Sequence, residues 1–171
     1  MAENAEQPSL TINTQYVKDH SFENPNAPTI YGAMRTDRPD INVSVEVTPK
    51  QLQDQVYEVV LGLRASAKVG ETTAFVAELD YAAVISLAAG ISEETRERLV
   101  MVEVPRHLFP FARAILADDT RDGGFPPLMM SPIDFAQLYL SRRAAAQEAG
   151  AEGSKAPEGE NAGDAGANGQ G

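Results

Sequence analysis

Two long runs of alternating apolar and polar residues constrain this fold more than any other part of the sequence. The first run covers residues 57–69, and the second covers residues 73–81. A period of two is typical of β-strands that bury one face and expose the other. Gly70 lies between the runs, in a place that suits a tight turn. The two runs therefore predict a β-hairpin.

Two more alternating runs precede this hairpin, at residues 10–17 and 41–47. Residues 18–28 contain Asn24-Pro25 and Ala27-Pro28, where each proline favours an extended or turn conformation in the residue before it. We therefore expect a surface loop at residues 18–28. Because no crossover helix lies between the runs, the predicted sheet is antiparallel and has four strands.

Helical patterns follow the strands. Ser92 precedes an acidic segment that is typical of the start of a short helix over residues 93–99. Pro105 and Pro110 predict a break, followed by a longer amphipathic helix from about Phe109 to Thr120. Since all the strands precede the main helices, the sequence predicts an α+β fold with helices packed on one face of the sheet.

A joint rich in glycine and proline separates the long helix from a final helix. Gly123 and Gly124 are expected to end the long helix, and the prolines that follow prevent its continuation. Ser131 is expected to cap the final helix, with Pro132 at its first position and Asp134 at its third.

Charge and composition limit the compartment and the partners. The chain has 171 residues, a formal net charge of −11, no cysteine and two histidines. The acidic charge disfavours nucleic acid as a partner, and the lack of cysteine excludes disulfides and thiolate metal sites. The N-terminus has no signal-peptide pattern, and no run approaches the ~20 apolar residues of a membrane helix. We therefore expect a cytoplasmic protein without stable membrane insertion.

The same features predict the domain organisation. We expect a flexible leader at residues 1–9, one folded domain at residues 10–147 and a disordered tail at residues 148–171. The tail is rich in glycine, alanine and acidic residues, so it offers little apolar surface to bury.

The residues that carry enzyme chemistry are scarce. His20 and His107 lie far apart in sequence, and no phosphate-binding loop, nucleophile elbow or zinc-protease motif occurs. We expect no metal and no cofactor. An enzyme or a small-ligand binder is therefore a weaker hypothesis than a protein that binds other proteins.

Four short motifs together resemble a known family. They read KDHSFENPNAP at 18–28, QVYEVVL at 55–61, LFPFAR at 108–113 and GGFPPLMMSPIDF at 123–135. In this order and at nearly this spacing they resemble SecB, the bacterial protein-export chaperone family, from about Leu10 to Leu140. The resemblance implies an ATP-independent holdase that keeps precursor proteins unfolded for translocation and passes them to the SecA ATPase.

The resemblance also implies a groove that binds unfolded preproteins between the sheet and the C-terminal helix. Apolar residues on a strand, at the joint and on the final helix are the candidates: Ile41, Val43, Val45, Met129, Met130, Phe135, Leu138 and Tyr139. Their pattern alone is equally compatible with an ordinary core. Arg142 and Arg143 stand where apolar groups are expected, which predicts a shorter or more polar far end of the groove.

Two other surfaces follow from the resemblance. Asp19, Glu23, Val76 and Glu78 match the surface that binds SecA, although charges that only keep the sheet solvated are the alternative interpretation. SecB-like proteins are homotetramers, dimers of dimers with the long helix between them. We expect that interface to use an apolar stripe of the helix, formed by Phe109, Phe111, Ile115 and Leu116. A SecB-like chaperone dedicated to another client, such as a toxin–antitoxin system, is the alternative function.

Overall fold

The computed structural model describes the backbone of residues 9–153 and the side chains of residues 9–147. The predicted leader therefore lies outside the described residues, apart from Ser9. Most of the predicted tail also lies outside them, although the last helix continues to Gly153, six residues into that segment.

Four antiparallel strands form a single sheet. They are β1 (Leu10–Glu23), β2 (Asp40–Gln53), β3 (Val56–Val69) and β4 (Thr72–Leu87), in the spatial order β1-β4-β3-β2. The predicted hairpin is confirmed as β3 and β4, and Gly70 adopts the positive φ of 59° in its turn. The predicted α+β fold with an antiparallel four-stranded sheet is also confirmed.

Helical elements make up most of the C-terminal half. Helix α1 (Thr29–Ala33) is a single short turn between β1 and β2. Helix α2 (Glu93–Arg98) leads through a π-helical turn (Leu99–Glu103) into helix α3 (Val104–Asp122), and helix α4 (Phe135–Gly153) follows the joint.

The predicted helix break is wrong, because the backbone stays helical from residue 93 to residue 122. Pro105 lies in the first turn of α3, directly after the π turn, where the wider i→i+5 pattern accommodates its missing N–H. Pro110 lies inside α3 and removes one hydrogen bond from the helix. Packing of α3 against β3 and β4 keeps the helix continuous despite this loss.

Strand β1 is longer than predicted, because residues 18–23 continue the strand where we expected a loop. The register with β4 shifts between Ile12 and Thr14 and between Val17 and Asp19, which indicates two irregularities in this edge strand. Pairing with β4 gives the polar residues 18–23 backbone partners that their own sequence does not indicate. Asp19 and Glu23 therefore lie on a strand.

Helix α4 begins three residues later than the predicted first position. Asp134 is its cap, because its Oδ1 accepts a hydrogen bond from the Gln137 amide at 3.0 Å. Ser131 and Pro132 lie in the irregular segment before the helix. A carboxylate at this position also favours the positive end of the helix dipole.

The core fills the space between one face of the sheet and the helices. Alternate residues of β3 and β4 point into it, among them the fully buried Leu61, Leu63, Leu79 and Ile85. Helix α3 packs on these two central strands. We call this the apolar face of the sheet. The opposite face, which carries Glu58, Arg64, Glu78 and Asp80 on β3 and β4, we call the polar face.

An aromatic cluster closes the core at the end of α3. The ring centroids of Phe22 and Phe75 lie 5.9 Å apart, those of Phe75 and Phe125 5.1 Å, and those of Tyr31 and Phe125 5.5 Å. Gly123 lies against this cluster: a Cβ at that position would be 2.5 Å from two ring carbons of Phe22. The hydroxyl of Tyr31 donates to the Gly123 carbonyl at 2.8 Å.

Candidate functional site

Strand β2 exposes an apolar strip at one edge of the sheet. Ile41 and Val43 are 44% and 37% exposed, whereas Val47 on the same face is only 7% exposed and Val45 is partly buried. The π turn packs against β2, but α3 packs over β3 and β4. Exposure therefore increases along β2 toward Ile41, because the helices cover the centre of the sheet more fully than this edge.

The two methionines of the joint lie beside α3. Met129 is 78% exposed, and Met130 is partly buried against the core. They help to line a cavity of about 260 Å³ together with Pro110, Arg113 and Leu128. Arg113 donates to the Met130 carbonyl at 3.3 Å, which fixes the backbone of the joint.

The predicted groove residues on α4 are much less exposed. Phe135 is 1% exposed and packs edge-on against Phe109 with ring centroids 5.9 Å apart, so it belongs to the core and cannot line an open groove as predicted. Leu138 and Tyr139 pack partly buried against the core. The Tyr139 hydroxyl donates to Glu97 Oε2 at 2.5 Å, which ties the second turn of α4 to α2.

The compact unit that contains these residues ends at Tyr139, and Leu140 begins a second unit. Arg142 and Arg143 lie in that second unit and are exposed. A shorter or more polar far end of the groove stays a prediction.

The polar face brings together the four residues that were predicted to bind SecA. Glu23 lies opposite Val76 in the pairing of β1 with β4. Asp19 lies opposite Asp80, and Ser21 lies opposite Glu78. Because alternate residues of a strand share a face, Asp19, Glu23, Val76 and Glu78 all lie on this side of the sheet. Strand pairing thus makes Glu23 and Val76 neighbours, although they are 53 residues apart in sequence.

Sequence reasoning missed two members of this charged surface, Asp80 and Arg64. Arg64 lies opposite Glu78 on β3, and its Nη2 donates to Asp80 Oδ1 at 2.8 Å. Its Nε lies 3.6 Å from Glu78 Oε2. The period of two does place Asp80 on the same face as Glu78, but the cross-strand neighbour depends on the register, which the sequence pattern does not fix.

A second charged network lies on the polar face nearer the other end of the sheet. Lys18 donates to Glu58 Oε2 at 2.6 Å, and the Tyr16 hydroxyl donates to Glu58 Oε1. The hydrogen bond from Lys18 is the main cause that lowers the pKa of Glu58 below its ordinary value, and the bond from Tyr16 adds to it. The same carboxylate raises the pKa of Tyr16. These contacts link β1 to β3 across the intervening β4.

Helix α3 and the sheet together expose a small aromatic patch. Phe111 is 54% exposed, and its ring stacks on Tyr81 with centroids 6.4 Å apart. Val17, which lies opposite Tyr81 on β1, is 46% exposed. Val17 and Tyr81 each lie at the end of a predicted strand, but neither was among the predicted site residues. Their pairing between β1 and β4 and the stack on Phe111 are tertiary contacts that the alternation does not indicate.

Two of the four predicted interface residues are not available to a second subunit. Phe109 and Leu116 are 5% and 0% exposed, because they face the chain's own core. Ile115 is partly buried. Phe111 is therefore the main exposed apolar residue of the predicted stripe.

Within residues 9–147, no cluster of three or more histidine, cysteine or acidic side chains has the geometry to hold a metal ion. His20 Nε2 lies 2.6 Å from Asp119 Oδ2, a contact that joins β1 to α3. Among the described helices, none has the length and apolar character needed to span a membrane.

Comparison with known proteins identifies the class of protein. The family model described as "Preprotein translocase subunit SecB" matches residues 3–146. A protein-export protein SecB from Parvibaculum lavamentivorans is 49% identical over 150 residues, which cover 88% of this chain and 88% of that protein. A second, from Granulibacter bethesdensis, is 49% identical over 149 residues and covers 82% of this chain and 86% of that protein.

A solved structure shares this fold. A SecB-like chaperone of Mycobacterium tuberculosis, solved in complex with a ChAD peptide from an antitoxin, matches with a TM-score of 0.61. It is 15% identical and covers 73% of this chain and 91% of its own. At this identity the match shows a shared fold.

These matches define a chaperone of protein transport, not an enzyme. The chain belongs to the SecB family of protein-export chaperones.

Proposed function

We propose that this protein is an ATP-independent holdase of the cytoplasm. It binds unfolded precursor proteins, keeps them competent for translocation and delivers them to SecA. The observation that carries the proposal is the exposed apolar strip on β2, in a chain that belongs to a family of export chaperones.

The β2 strip and the joint suit a client that has no fixed structure. Ile41, Val43 and Met129 offer exposed apolar surface, and each Å² of apolar area that a client covers stabilises the complex by about 25 cal/mol. This term depends on area and not on an exact sequence. Methionine adds a flexible side chain that adapts to different client groups. Leu138 and Tyr139 are partly buried, so they contribute less surface.

The test is suppression of aggregation of an unfolded precursor by stoichiometric amounts of the protein. Ile41→Asp combined with Val43→Asp removes the strip. Losing about 100 Å² of apolar contact costs about 2.5 kcal/mol, so the concentration needed for protection should rise more than tenfold. Asn42→Asp combined with Ser44→Asp adds the same two charges to the polar face of the same strand, and this control should protect normally.

Wild-type protein that fails to slow aggregation would refute the holdase function. Equal loss in both double variants would instead show that added charge is responsible, and not the apolar strip.

Docking to SecA is proposed for the acidic residues of the polar face. Asp19, Glu23 and Glu78 offer three carboxylates to a basic segment of the partner, and Val76 offers an apolar contact beside them. Such an attraction guides association strongly at low salt and weakens as the screening length falls to ~8 Å at physiological ionic strength.

Reversing the three charges to lysine should weaken SecA binding by an order of magnitude or more, which corresponds to at least about 1.4 kcal/mol. Aggregation suppression should remain. The matched control reverses three exposed acids in loops or turns outside the polar face: Asp37, Asp54 and Glu71. Calorimetry that finds the same SecA affinity for both triple variants and for the wild type would contradict the docking surface.

The homotetramer, a dimer of dimers, is proposed from the family resemblance, with Phe111 and Ile115 of α3 at an interface between subunits. The exposed stack of Phe111 on Tyr81 supports this role, because an aromatic side chain that is half exposed gains by being covered. Light scattering should give a tetramer mass, and Phe111→Glu should lower it. A monomer mass for the wild type at micromolar concentration would contradict the proposal.

A chaperone dedicated to one client is the second candidate, favoured by the antitoxin peptide bound to the mycobacterial structural relative. Capture of clients from lysate separates the two functions. Many precursors that carry signal peptides support the export function, whereas a single antitoxin-like client supports the alternative.

A further inference from the structure

We propose that Arg64 tunes the affinity of the acidic docking surface, as an internal cation that competes with the partner for Glu78. This inference rests on the proposed docking of a basic partner to the polar face. It adds a specificity-determining residue that is not itself acidic and that was not among the predicted docking residues.

Three hydrogen bonds hold the guanidinium of Arg64 in place. Nη2 donates to Asp80 Oδ1 at 2.8 Å, and Nη1 donates to the backbone carbonyls of Leu63 and Leu79 at 3.0 Å and 3.1 Å. Nε lies 3.6 Å from Glu78 Oε2. The side chain therefore lies along the sheet surface, where 40% of it is exposed.

Gly62 leaves room for this arrangement. A Cβ at position 62 would lie 3.4 Å from Asp80 Oδ1, 3.7 Å from Arg64 Nη1 and 3.8 Å from Glu46 Cβ. A Cβ alone would fit there, but a longer side chain would press on both members of the ion pair. The absence of a side chain at Gly62 thus lets Arg64 and Asp80 meet close to the backbone.

The two carboxylates are held unequally. Asp80 is bound at hydrogen-bond distance and its side chain is 27% exposed, whereas Glu78 lies beyond hydrogen-bond distance and is 49% exposed. Exposed ion pairs of this kind contribute little to stability, so Glu78 can exchange Arg64 for a cation of the partner at low cost. Asp80 keeps Arg64 in place during that exchange.

Arg64 sets the local net charge of the docking surface. Glu78 and Asp80 together carry two negative charges, and Arg64 reduces this local sum to one. A basic partner segment consequently meets a weaker field than the carboxylates alone would produce, and affinity is held below its maximum. For a chaperone that must release its partner after delivery, such a limit favours turnover.

The experiment measures SecA affinity by calorimetry for full-length variants at low and high salt. Arg64→Met removes the charge and keeps a flexible apolar side chain, and we expect affinity about threefold to tenfold higher at low ionic strength. The gain should shrink as salt rises. Lys68→Met is the matched control, because Lys68 is exposed on the same strand and its loss removes the same charge away from Glu78.

Asp80→Asn tests the coupling. Without the Asp80 carboxylate, Arg64 is free to turn toward Glu78 and to compete more strongly with the partner. D80N should therefore weaken SecA binding more in the wild-type background than in the R64M background, which has no arginine at position 64. Arg64→Gln serves as a second charge-removing variant in case R64M folds poorly, and it should raise affinity in the same direction.

The outcomes separate the inference from the docking proposal. If the triple charge reversal of Asp19, Glu23 and Glu78 leaves SecA affinity unchanged, the docking proposal fails and this inference fails with it. If the triple reversal weakens binding but R64M and R64Q bind no more tightly than K68M, only the role of Arg64 is overturned.

Discussion

Replacing Gly123 by alanine should destabilise the fold through a single steric conflict. The Cβ of an alanine would lie 2.5 Å from Cε1 and Cζ of Phe22, and 3.1 Å from the Asp119 carbonyl oxygen. The backbone itself does not forbid alanine, because Gly123 has φ −72° and ψ 0°. Either the ring of Phe22 or the end of α3 must therefore move by about 1 Å to reach ordinary carbon–carbon contact.

That movement is costly because Phe22 is part of the aromatic cluster. Its ring stacks on Phe75 and lies edge-on to Phe125 at 6.5 Å. Overpacking a well-packed site costs about 1–3 kcal/mol, and the lower entropy of an unfolded alanine returns about 0.4–1 kcal/mol. We expect a net loss of about 1–2 kcal/mol in the free energy of unfolding.

Gly32→Ala is the matched control. Gly32 lies in helix α1, and nothing lies within 4 Å of the place its Cβ would take. This variant should be neutral or more stable by up to about 1 kcal/mol. Urea unfolding at one fixed protein concentration should therefore separate the two variants by about 2 kcal/mol, with the concentration held constant because association adds to apparent stability.

A shorter side chain at position 22 tests the mechanism. Phe22→Leu removes the ring atoms that collide, so adding G123A to this variant should cost clearly less than adding it to the wild type. If G123A is as stable as the wild type, or if its cost is the same with leucine at position 22, the steric reasoning is refuted.

Two further predictions concern buried polar contacts. Hydrogen bonds from Lys18, and to a lesser extent from Tyr16, lower the pKa of Glu58 below 4.5 in the folded state. The Glu58 carboxylate therefore stabilises the fold above pH 4.5, and this stabilisation is lost as pH falls through the lower folded-state pKa. Glu58→Gln should therefore flatten the decline of the free energy of unfolding below pH 4.5, and denaturant titrations with an unchanged decline would contradict this. Thr120→Val removes the oxygen that accepts the Leu128 amide at 2.9 Å, which should cost about 1–3 kcal/mol in thermal or urea unfolding; a fully stable variant would show that the amide finds another acceptor.

The sheet could be predicted from the sequence because period-two alternation is a local property. Residues 57–69 and 73–81 alternate cleanly, and the strands they predict exist. Residues 18–23 are strand for a non-local reason, since β4 supplies the backbone partners of a polar segment. Pro110 remains helical for a similar reason, because packing of α3 on the sheet outweighs one lost hydrogen bond.

The candidate surfaces were predictable to different degrees. Strand alternation could indicate that Ile41 and Val43 share a face with the core, but only the position of the helices determines that they are exposed. Phe135 is buried, whereas Ile41 and Val43 are exposed. Its helical spacing is compatible with either a groove or a core, and the contact with Phe109 places it in the core. The contact between Arg64 and Asp80 depends on strand register, which a single sequence does not determine.

The pairing of β1 with β4 has a consequence for the order in which the chain folds. Strands β2, β3 and β4 form successive hairpins with short turns. Pairing of β1 with β4 instead closes a loop of about fifty residues. Closing this loop costs about 2–3 kcal/mol more in entropy than closing a two-residue turn. We therefore expect β1 to join last, and pulsed hydrogen exchange should find its amides protected after those of β3. Asp19 and Glu23 become neighbours of Glu78 only at that step. A partner that recognises these acids together would in this way bind only chains whose sheet is complete, so newly made and unfinished chaperone would not compete for it.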